Sequence, residues 1–185
     1  MLSVLLIVCI PLAAILIFVS LFSFARALIL RISFYRKLSI FAQNNKFKLK
    51  KTRNILASFF CFSSKPDLIL KVADKEYLIR FVTCMNQNLF YNFPTDEYYI
   101  RFERVLSLPF NPTGRFRYLP PLKEEFLGKN EKKVFVLLFA PSLAKVSYLN
   151  NEKTQRKWTG NTKEIGNWLV YKEMAFLDFL QAELK

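Results

Sequence analysis

The stretch DLILKVADKEYLIRFVT, residues 67–83, predicts the centre of the fold. Two runs rich in β-branched and aromatic residues flank Ala73, Asp74 and Lys75, a pattern typical of a β-hairpin. Successive side chains of a strand point to opposite faces, so each arm should present every second residue to a core. The residues that we expect on this core face are Leu68, Leu70 and Val72 from the first arm and Tyr77, Ile79 and Phe81 from the second.

Further strands are predicted on both sides of the hairpin. Residues 46–53, KFKLKKTR, alternate apolar and basic side chains, as a half-exposed strand does. Residues 89–93, LFYNF, could form a third strand, and residues 133–140, KVFVLLFA, have the continuous apolar run of a central strand. Residues 144–150, AKVSYLN, are expected to pair back against that central strand. The segment 96–106 fits either a helix or a strand.

Helices are expected before and after the strands. Residues 26–43 keep a helical spacing of apolar side chains, with Asn44-Asn45 as the predicted break. The tail YKEMAFLDFLQAEL has the pattern of an amphipathic helix, with an apolar face predicted to consist of Met174, Leu177, Leu180 and Leu184. Residues 107–131, rich in proline, are predicted to be irregular. The fold class is therefore α+β: one N-terminal transmembrane helix, then a small domain of mixed sheet with a helix before and after it.

The N-terminal run LSVLLIVCIPLAAILIFVSLFSFA, residues 2–25, carries no charged side chain. A helix of this length is about 36 Å long and exceeds the roughly 30 Å hydrocarbon core of a bilayer. Pro11 interrupts the run, but transmembrane helices tolerate proline. A cleaved signal peptide would need a basic start and a shorter apolar stretch, so we expect an uncleaved signal-anchor. The predicted division is an anchor at 1–25, a basic juxtamembrane helix and strand at 26–53, and a domain at 54–185.

The positive charge is concentrated beside the apolar run. Ten basic residues and no acidic residue lie between Arg26 and Lys65, so residues 1–66 hold +10 of the net charge of +14. Basic residues within about 15–20 positions of a membrane span are retained in the cytoplasm. We therefore expect a single-pass protein of the cell membrane, with its N-terminus outside and its C-terminal domain in the cytoplasm. The side chains expected at the anionic membrane surface are Arg26, Arg31, Arg36 and Lys37.

A second interpretation of these basic residues is that they only fix the topology and pack on the domain. Nucleic acid is a third possible partner, which a position beside the membrane disfavours but does not exclude. The predicted partners are thus the lipid bilayer and a membrane-protein or cytoplasmic protein partner.

The composition argues against several kinds of chemistry. The chain has no histidine, which removes Ser-His-Asp and Cys-His catalysis and the commonest metal ligand. Three cysteines without a CxxC pair describe neither a disulfide framework nor a zinc site, and four scattered glycines form no phosphate-binding loop. We predict no metal and no cofactor, and a non-enzymatic role is favoured.

The pair Pro66-Asp67 precedes the hairpin and follows an N-terminal helix, an arrangement that resembles the core of the restriction-endonuclease-like superfamily. In that family a Pro-Asp begins the hairpin, and a Glu-x-Lys or Asp-x-Lys on the next strand completes a magnesium site. The resemblance, over residues 34–95, implies Asp67 as the first acid, with Glu76 and Arg80 nearest to the other two positions. Glu76 stands one residue early and Arg80 replaces the lysine, which implies a domain that has lost cleavage. A second interpretation is that Asp67 merely opens a strand at a turn.

A binding role is also predicted for the segment GRFRYLPP, residues 114–121. Arg115 and Arg117 interleave with aromatic residues, as in loops that grip phosphate or acidic peptide. Trp158 is a further candidate for a binding surface. The sequence favours a membrane-anchored cytoplasmic interaction or scaffold module. The alternative is a nuclease-like domain, inactive in cleavage, that retains nucleic-acid binding.

Overall fold

A computed structural model of the chain describes residues 2–60, 62–84, 87–92, 95–102, 115–139, 145–149, 156–158 and 162–184. The first element, α1, is one continuous helix over Leu2–Asn44 that contains Pro11. Lys46 has a positive φ of 58° and turns the chain back toward the body of the domain. The predicted break at Asn44-Asn45 is therefore confirmed, and no break separates the apolar run from the segment that follows it.

Two shorter helices and eleven strands complete the described part of the chain. The helices are α2, Ile55–Phe60, and α3, Glu173–Ala182; a short 3₁₀ turn spans Glu124–Phe126. In chain order the strands are β1 Lys48–Lys51, β2 Leu68–Val72, β3 Lys75–Cys84, β4 Gln87–Asn92, β5 Glu97–Phe102, β6 Arg115–Leu119, β7 Glu131–Phe139, β8 Lys145–Leu149, β9 Arg156–Trp158, β10 Thr162–Ile165 and β11 Trp168–Lys172.

Within the described ranges the strands form two sheets rather than the one that the sequence predicted. The larger sheet has six strands in the order β1-β2-β3-β7-β11-β10, and the smaller has five in the order β6-β5-β4-β8-β9. The hairpin of residues 67–83 is confirmed, because β2 pairs antiparallel with β3 across the turn at Ala73 and Asp74. The central position of β7 is confirmed as well, since it pairs in parallel with both β3 and β11.

Two sequence predictions were wrong about partners or local form, and one segment left open between helix and strand is now assigned. Strand β8 does not pair back on β7; it pairs in parallel with β4 in the smaller sheet. Alternation identifies a strand but not its neighbour, which only the three-dimensional packing decides. The ambiguous segment after residue 95 contains strand β5, and residues 115–119, predicted as irregular, form edge strand β6.

The larger sheet is covered on both faces. Helices α1 and α3 pack on one face in a cluster that holds the six side chains predicted to face a core, Leu68, Leu70, Val72, Tyr77, Ile79 and Phe81. The opposite face packs against β4, β5 and β6 through a second cluster that includes Leu78, Phe135 and Trp168. The result is a three-layer arrangement of helices, larger sheet and smaller sheet.

Helix α3 is present as predicted, and Leu177 and Leu180 of the predicted face pack in the core, but Met174 and Leu184 do not. Phe176 and Leu180 are fully buried, whereas Met174 is 50% and Leu184 43% exposed. Tyr77 and Phe176 meet edge to face with centroids 6.3 Å apart, so the larger aromatic side chain takes the place predicted for Met174.

Helix α1 differs sharply between its two parts. Residues Cys9–Asn44 include a segment apolar enough to cross a membrane, with mean hydropathy 2.4, and only 6% of that segment is buried. Five consecutive side chains from Ile15 to Val19 are exposed. From residue 27 onward the buried positions recur every three or four residues, at Ala27, Arg31, Phe34, Leu38 and Ala42. This second part is a core element of the domain, and Phe34 meets Phe81 edge to face at 5.7 Å.

Candidate functional site

Arg31 is the first of several charged side chains buried where α1 meets the end of the β2–β3 hairpin. Its residue is 1% exposed. Its guanidinium donates to Thr83 Oγ1 at 2.6 Å, to Ser58 Oγ at 2.6 Å and to the carbonyl oxygen of Phe81 at 2.9 Å. The predicted role of Arg31 at the membrane surface is therefore wrong, because its charge is enclosed by hydrogen-bond acceptors of the domain.

Asp67 lies at the start of β2 on the same side of the domain. One carboxylate oxygen accepts a hydrogen bond from Arg53 at 3.1 Å, and the other accepts one from the backbone N–H of Phe81 at 2.9 Å. Burial raises the pKa of Asp67 above its ordinary value, against the opposing effects of the Phe81 N–H and the nearby arginines. Asp67 therefore connects the hairpin to the segment that leads into α2.

Arg80 lies on β3 but faces the opposite side from Phe81, into the interior between the two sheets. It is 6% exposed. Its two terminal nitrogens donate to the carbonyl oxygens of Pro120 and Ser63, each at 2.6 Å. The guanidinium carbon lies 5.3 Å from the ring centroid of Trp168. Burial lowers the pKa of Arg80 to about 10, an effect that Asp67 partly offsets.

The structure brings together two of the three residues that the resemblance implied. Asp67 and Arg80 both line a cavity of about 10 Å³, room for a single water molecule. Glu76 stands at the other end of the hairpin, opposite Lys71, with which it forms an exposed ion pair. Among the described residues no group of three His, Cys, Asp or Glu side chains could hold a metal ion.

The predicted binding residues lie on strands rather than loops. The guanidinium of Arg117 covers the ring of Phe62, 4.7 Å from its centroid, and Phe62 lines the small cavity beside Asp67 and Arg80. The ring of Phe62 therefore lies between Arg117 and the cavity that Asp67 and Arg80 line. The backbones of Arg115 and Trp158 belong to β6 and β9, but their side chains are outside the described part of the structure.

The other three membrane-surface candidates are placed differently from Arg31. Arg26, Arg36 and Lys37 are all exposed on α1. Lys37 Nζ lies 3.9 Å from the sulfur of Met174, so α1 and α3 also meet at the surface.

Sequence reasoning missed the partners of the buried charges. Ser58 and Thr83 supply acceptors to Arg31 from 27 and 52 residues away, a distance at which periodicity carries no signal. Arg80 did carry a signal, because Leu78 and Val82 on either side of it face the core between the sheets. Burying an arginine at a core-facing position of a strand is costly, so such a residue is a candidate for a functional site.

Comparisons with protein-family models, with curated proteins and with solved structures gave no match to this chain.

Proposed function

We propose that this chain is a single-pass membrane protein whose cytoplasmic domain is a non-enzymatic interaction module, held directly on its anchor. The observation that carries the proposal is the change of environment along α1. Its first part exposes apolar side chains around the whole helix, while its second part is a buried element of the domain. A helix that is apolar all round requires an apolar surrounding, and the hydrocarbon core of a bilayer supplies one.

The unbroken helix gives the anchor a mechanical role. The exposed side chains of Leu21 and Phe22 are six and five residues before Ala27, the first fully buried position among the described side chains. At 1.5 Å per residue, about 8–9 Å of helix separates them, so the domain is held against the membrane surface. A partner that binds the domain therefore meets it close to the bilayer and in a fixed orientation relative to α1.

The exposed basic side chains support the orientation with the domain in the cytoplasm. Arg26, Arg36 and Lys37 all follow the apolar part of α1 and are exposed to solvent. Retention of such residues on the cytoplasmic side leaves the N-terminus outside.

Charged substitutions in the first part of α1 test the anchor. Leu12 and Ile15 are 59% and 60% exposed, and Ile29 and Ile40 in the second part are 63% and 58% exposed. The double variant Leu12→Arg/Ile15→Arg should lose insertion, because two arginines near the centre of a span cost about 5–7 kcal/mol. The matched variant Ile29→Arg/Ile40→Arg should remain in the membrane. The measurement is the fraction that resists extraction by alkaline carbonate.

The same preparation tests orientation and cleavage. Asp178→Cys places an exposed thiol on α3, in a background with the three native cysteines changed to serine. An impermeant maleimide should label it only after the cells are permeabilised, and the intact mass should retain residues 1–25. Carbonate-extractable wild-type protein, or a mass that lacks the apolar run, would contradict the anchor.

The alternative function is a nuclease-like domain that no longer cleaves but binds nucleic acid. The proximity of Asp67 and Arg80 around one small cavity favours it. Salt-sensitive binding of DNA by the full-length protein, weakened by Arg80→Gln, would support this alternative over the interaction module.

A further inference from the structure

A cleft of about 120 Å³ opens between the two sheets, and Arg80 lines both this cleft and the small cavity beside Asp67. Arg80 and Trp168 from the larger sheet line it, with Tyr98 and Tyr118 from the smaller sheet. A cleft of this volume can hold several water molecules. It is smaller than the roughly 300 Å³ at which pockets for drug-sized ligands begin. The cleft therefore suits a small polar molecule.

Arg80 enters this cleft with part of its hydrogen-bonding capacity unused. A guanidinium has five N–H donors, and the carbonyl oxygens of Pro120 and Ser63 take one from each terminal nitrogen. Nε is buried and has no partner in the described part of the chain. A buried donor left unpaired destabilises the protein, so a ligand that accepted a hydrogen bond from it would bind more tightly.

Among the described residues, no carboxylate is hydrogen-bonded to Arg80. The carboxylate oxygens of Asp67 accept hydrogen bonds from Arg53 and from the Phe81 N–H. The groups that accept from Arg80 are neutral carbonyls. Trp168 holds the guanidinium in place from one side and is itself stacked on Phe135 with centroids 3.9 Å apart. A fixed, desolvated guanidinium that keeps an unpaired N–H is a preorganised site for a carboxylate or phosphate group.

The remaining charges of the cleft define the other end of the ligand. Lys133 adds a second cation, and Asp96 and Glu97 add two carboxylates. Asp96 accepts from Tyr91 at 2.8 Å, and Glu97 accepts from Tyr99 at 2.6 Å. Two cations and two carboxylates balance, so the cleft as a whole disfavours a bare anion and matches a ligand with no net charge.

We propose that this cleft binds a small zwitterion, with its carboxylate or phosphate group against Arg80 and Lys133 and its amino group against Asp96 and Glu97. The chemistry is that of a free amino acid or glycerophosphoethanolamine, and equally that of an ethanolamine phospholipid headgroup. This inference is independent of the anchor, since it rests on the cleft alone.

The test uses the fluorescence of Trp168 in full-length Trp158→Phe protein, where it is the remaining tryptophan. In nonionic detergent at constant ionic strength, the protein is titrated with glycine, glycerophosphoethanolamine, inorganic phosphate and ethanolamine. A saturable change with glycine or glycerophosphoethanolamine is expected, with an affinity at least tenfold higher than for phosphate or ethanolamine alone. Equal affinity for inorganic phosphate, or no saturable change with either zwitterion, would overturn the proposal.

Matched variants tie the signal to the cleft. Arg80→Gln should abolish saturation, and Lys133→Gln should weaken it several-fold. Lys132→Gln, an exposed neighbour whose side chain points to the other face of β7, should have no effect. If Arg80→Gln fails to fold, Lys133→Gln and Glu97→Gln decide the matter: unchanged affinity in both would refute the site.

Nanodiscs separate the two sources of the ligand. Where the lipid headgroup is the ligand, discs containing phosphatidylethanolamine should give the bound fluorescence without added zwitterion, and phosphatidylcholine discs should not. Where the ligand is free, soluble zwitterion should titrate equally in both kinds of disc.

Discussion

The two parts of α1 belong to one continuous helix but have opposite surroundings. From residue 9 to residue 22 large apolar side chains are exposed on every side of the helix, whereas from Ala27 to Ala42 one stripe is buried against the larger sheet. Helix propensity is satisfied in both parts, so it does not distinguish them. The distribution of apolar residues around the axis does, because a single stripe needs a protein face and a full circumference needs an apolar solvent.

The basic residues that follow the apolar run divide in the same way. Arg31 lies in the core and Arg53 pairs with Asp67, so both charges serve the fold. The lysines of β1 are exposed on an edge strand, where they hinder pairing with another chain: Lys48, Lys50 and Lys51. Only part of the local positive charge is therefore free to interact with a membrane surface.

The largest expected effect that sharpens this comparison comes from the buried stripe. Leu38 is fully buried, and Leu38→Ala should lower the free energy of unfolding by about 2–5 kcal/mol through lost contacts and a cavity. Ile40→Ala, two residues away and 58% exposed, should change it by less than about 0.5 kcal/mol. Chemical denaturation in nonionic detergent measures both. Equal effects would mean that the second part of α1 is not a core element.

A smaller effect is expected from the buried arginine. Arg31→Met removes the donors to Thr83, Ser58 and the Phe81 carbonyl, and should destabilise the domain by roughly 1–3 kcal/mol. The loss is moderated because the cost of burying the guanidinium disappears with it. Arg36→Met, at an exposed position on the same helix, should leave the unfolding midpoint unchanged. A destabilised Arg36→Met with an unaffected Arg31→Met would reverse the assignment of the two residues.

The sequence was sufficient for those features that depend on local pattern. The hairpin of β2 and β3, the central strand β7 and the end of α1 at Asn44 all follow from alternation, apolar runs and a turn signal. The sequence was insufficient where contacts between distant segments determine which strands pair. The parallel pairing of β4 with β8, across more than fifty residues, created a second sheet that no local pattern announces.

The candidate site shows the same division. A helical projection groups Arg31 with the neighbouring arginines, because its acceptors on α2 and β3 are invisible to it. Arg80 was singled out through a family resemblance that no comparison tested, yet its more informative property is local. It occupies a core-facing position of β3, where the pattern calls for an apolar residue. A charged residue at a core-facing strand position is therefore the sequence signal for the cleft between the two sheets.

The smallest expected effect distinguishes two roles of a basic residue: its charge during membrane insertion and its contacts in the folded domain. Topology is fixed while the chain is still unfolded, so Arg31 and Arg36 should count equally as positive charges at that stage. In an Arg26→Gln background, Arg31→Gln and Arg36→Gln should each raise the fraction of inverted molecules slightly and to the same extent, since one basic side chain near the membrane contributes only about 1 kcal/mol. Pulse-labelled chains carrying Asp178→Cys report that fraction through maleimide labelling of intact cells.

In mature protein only Arg31→Gln should lower the unfolding midpoint, because only Arg31 is enclosed by Ser58, Thr83 and the Phe81 carbonyl. If Arg31→Gln left topology unchanged while Arg36→Gln inverted it, residue 31 would already be folded into the domain when orientation is decided.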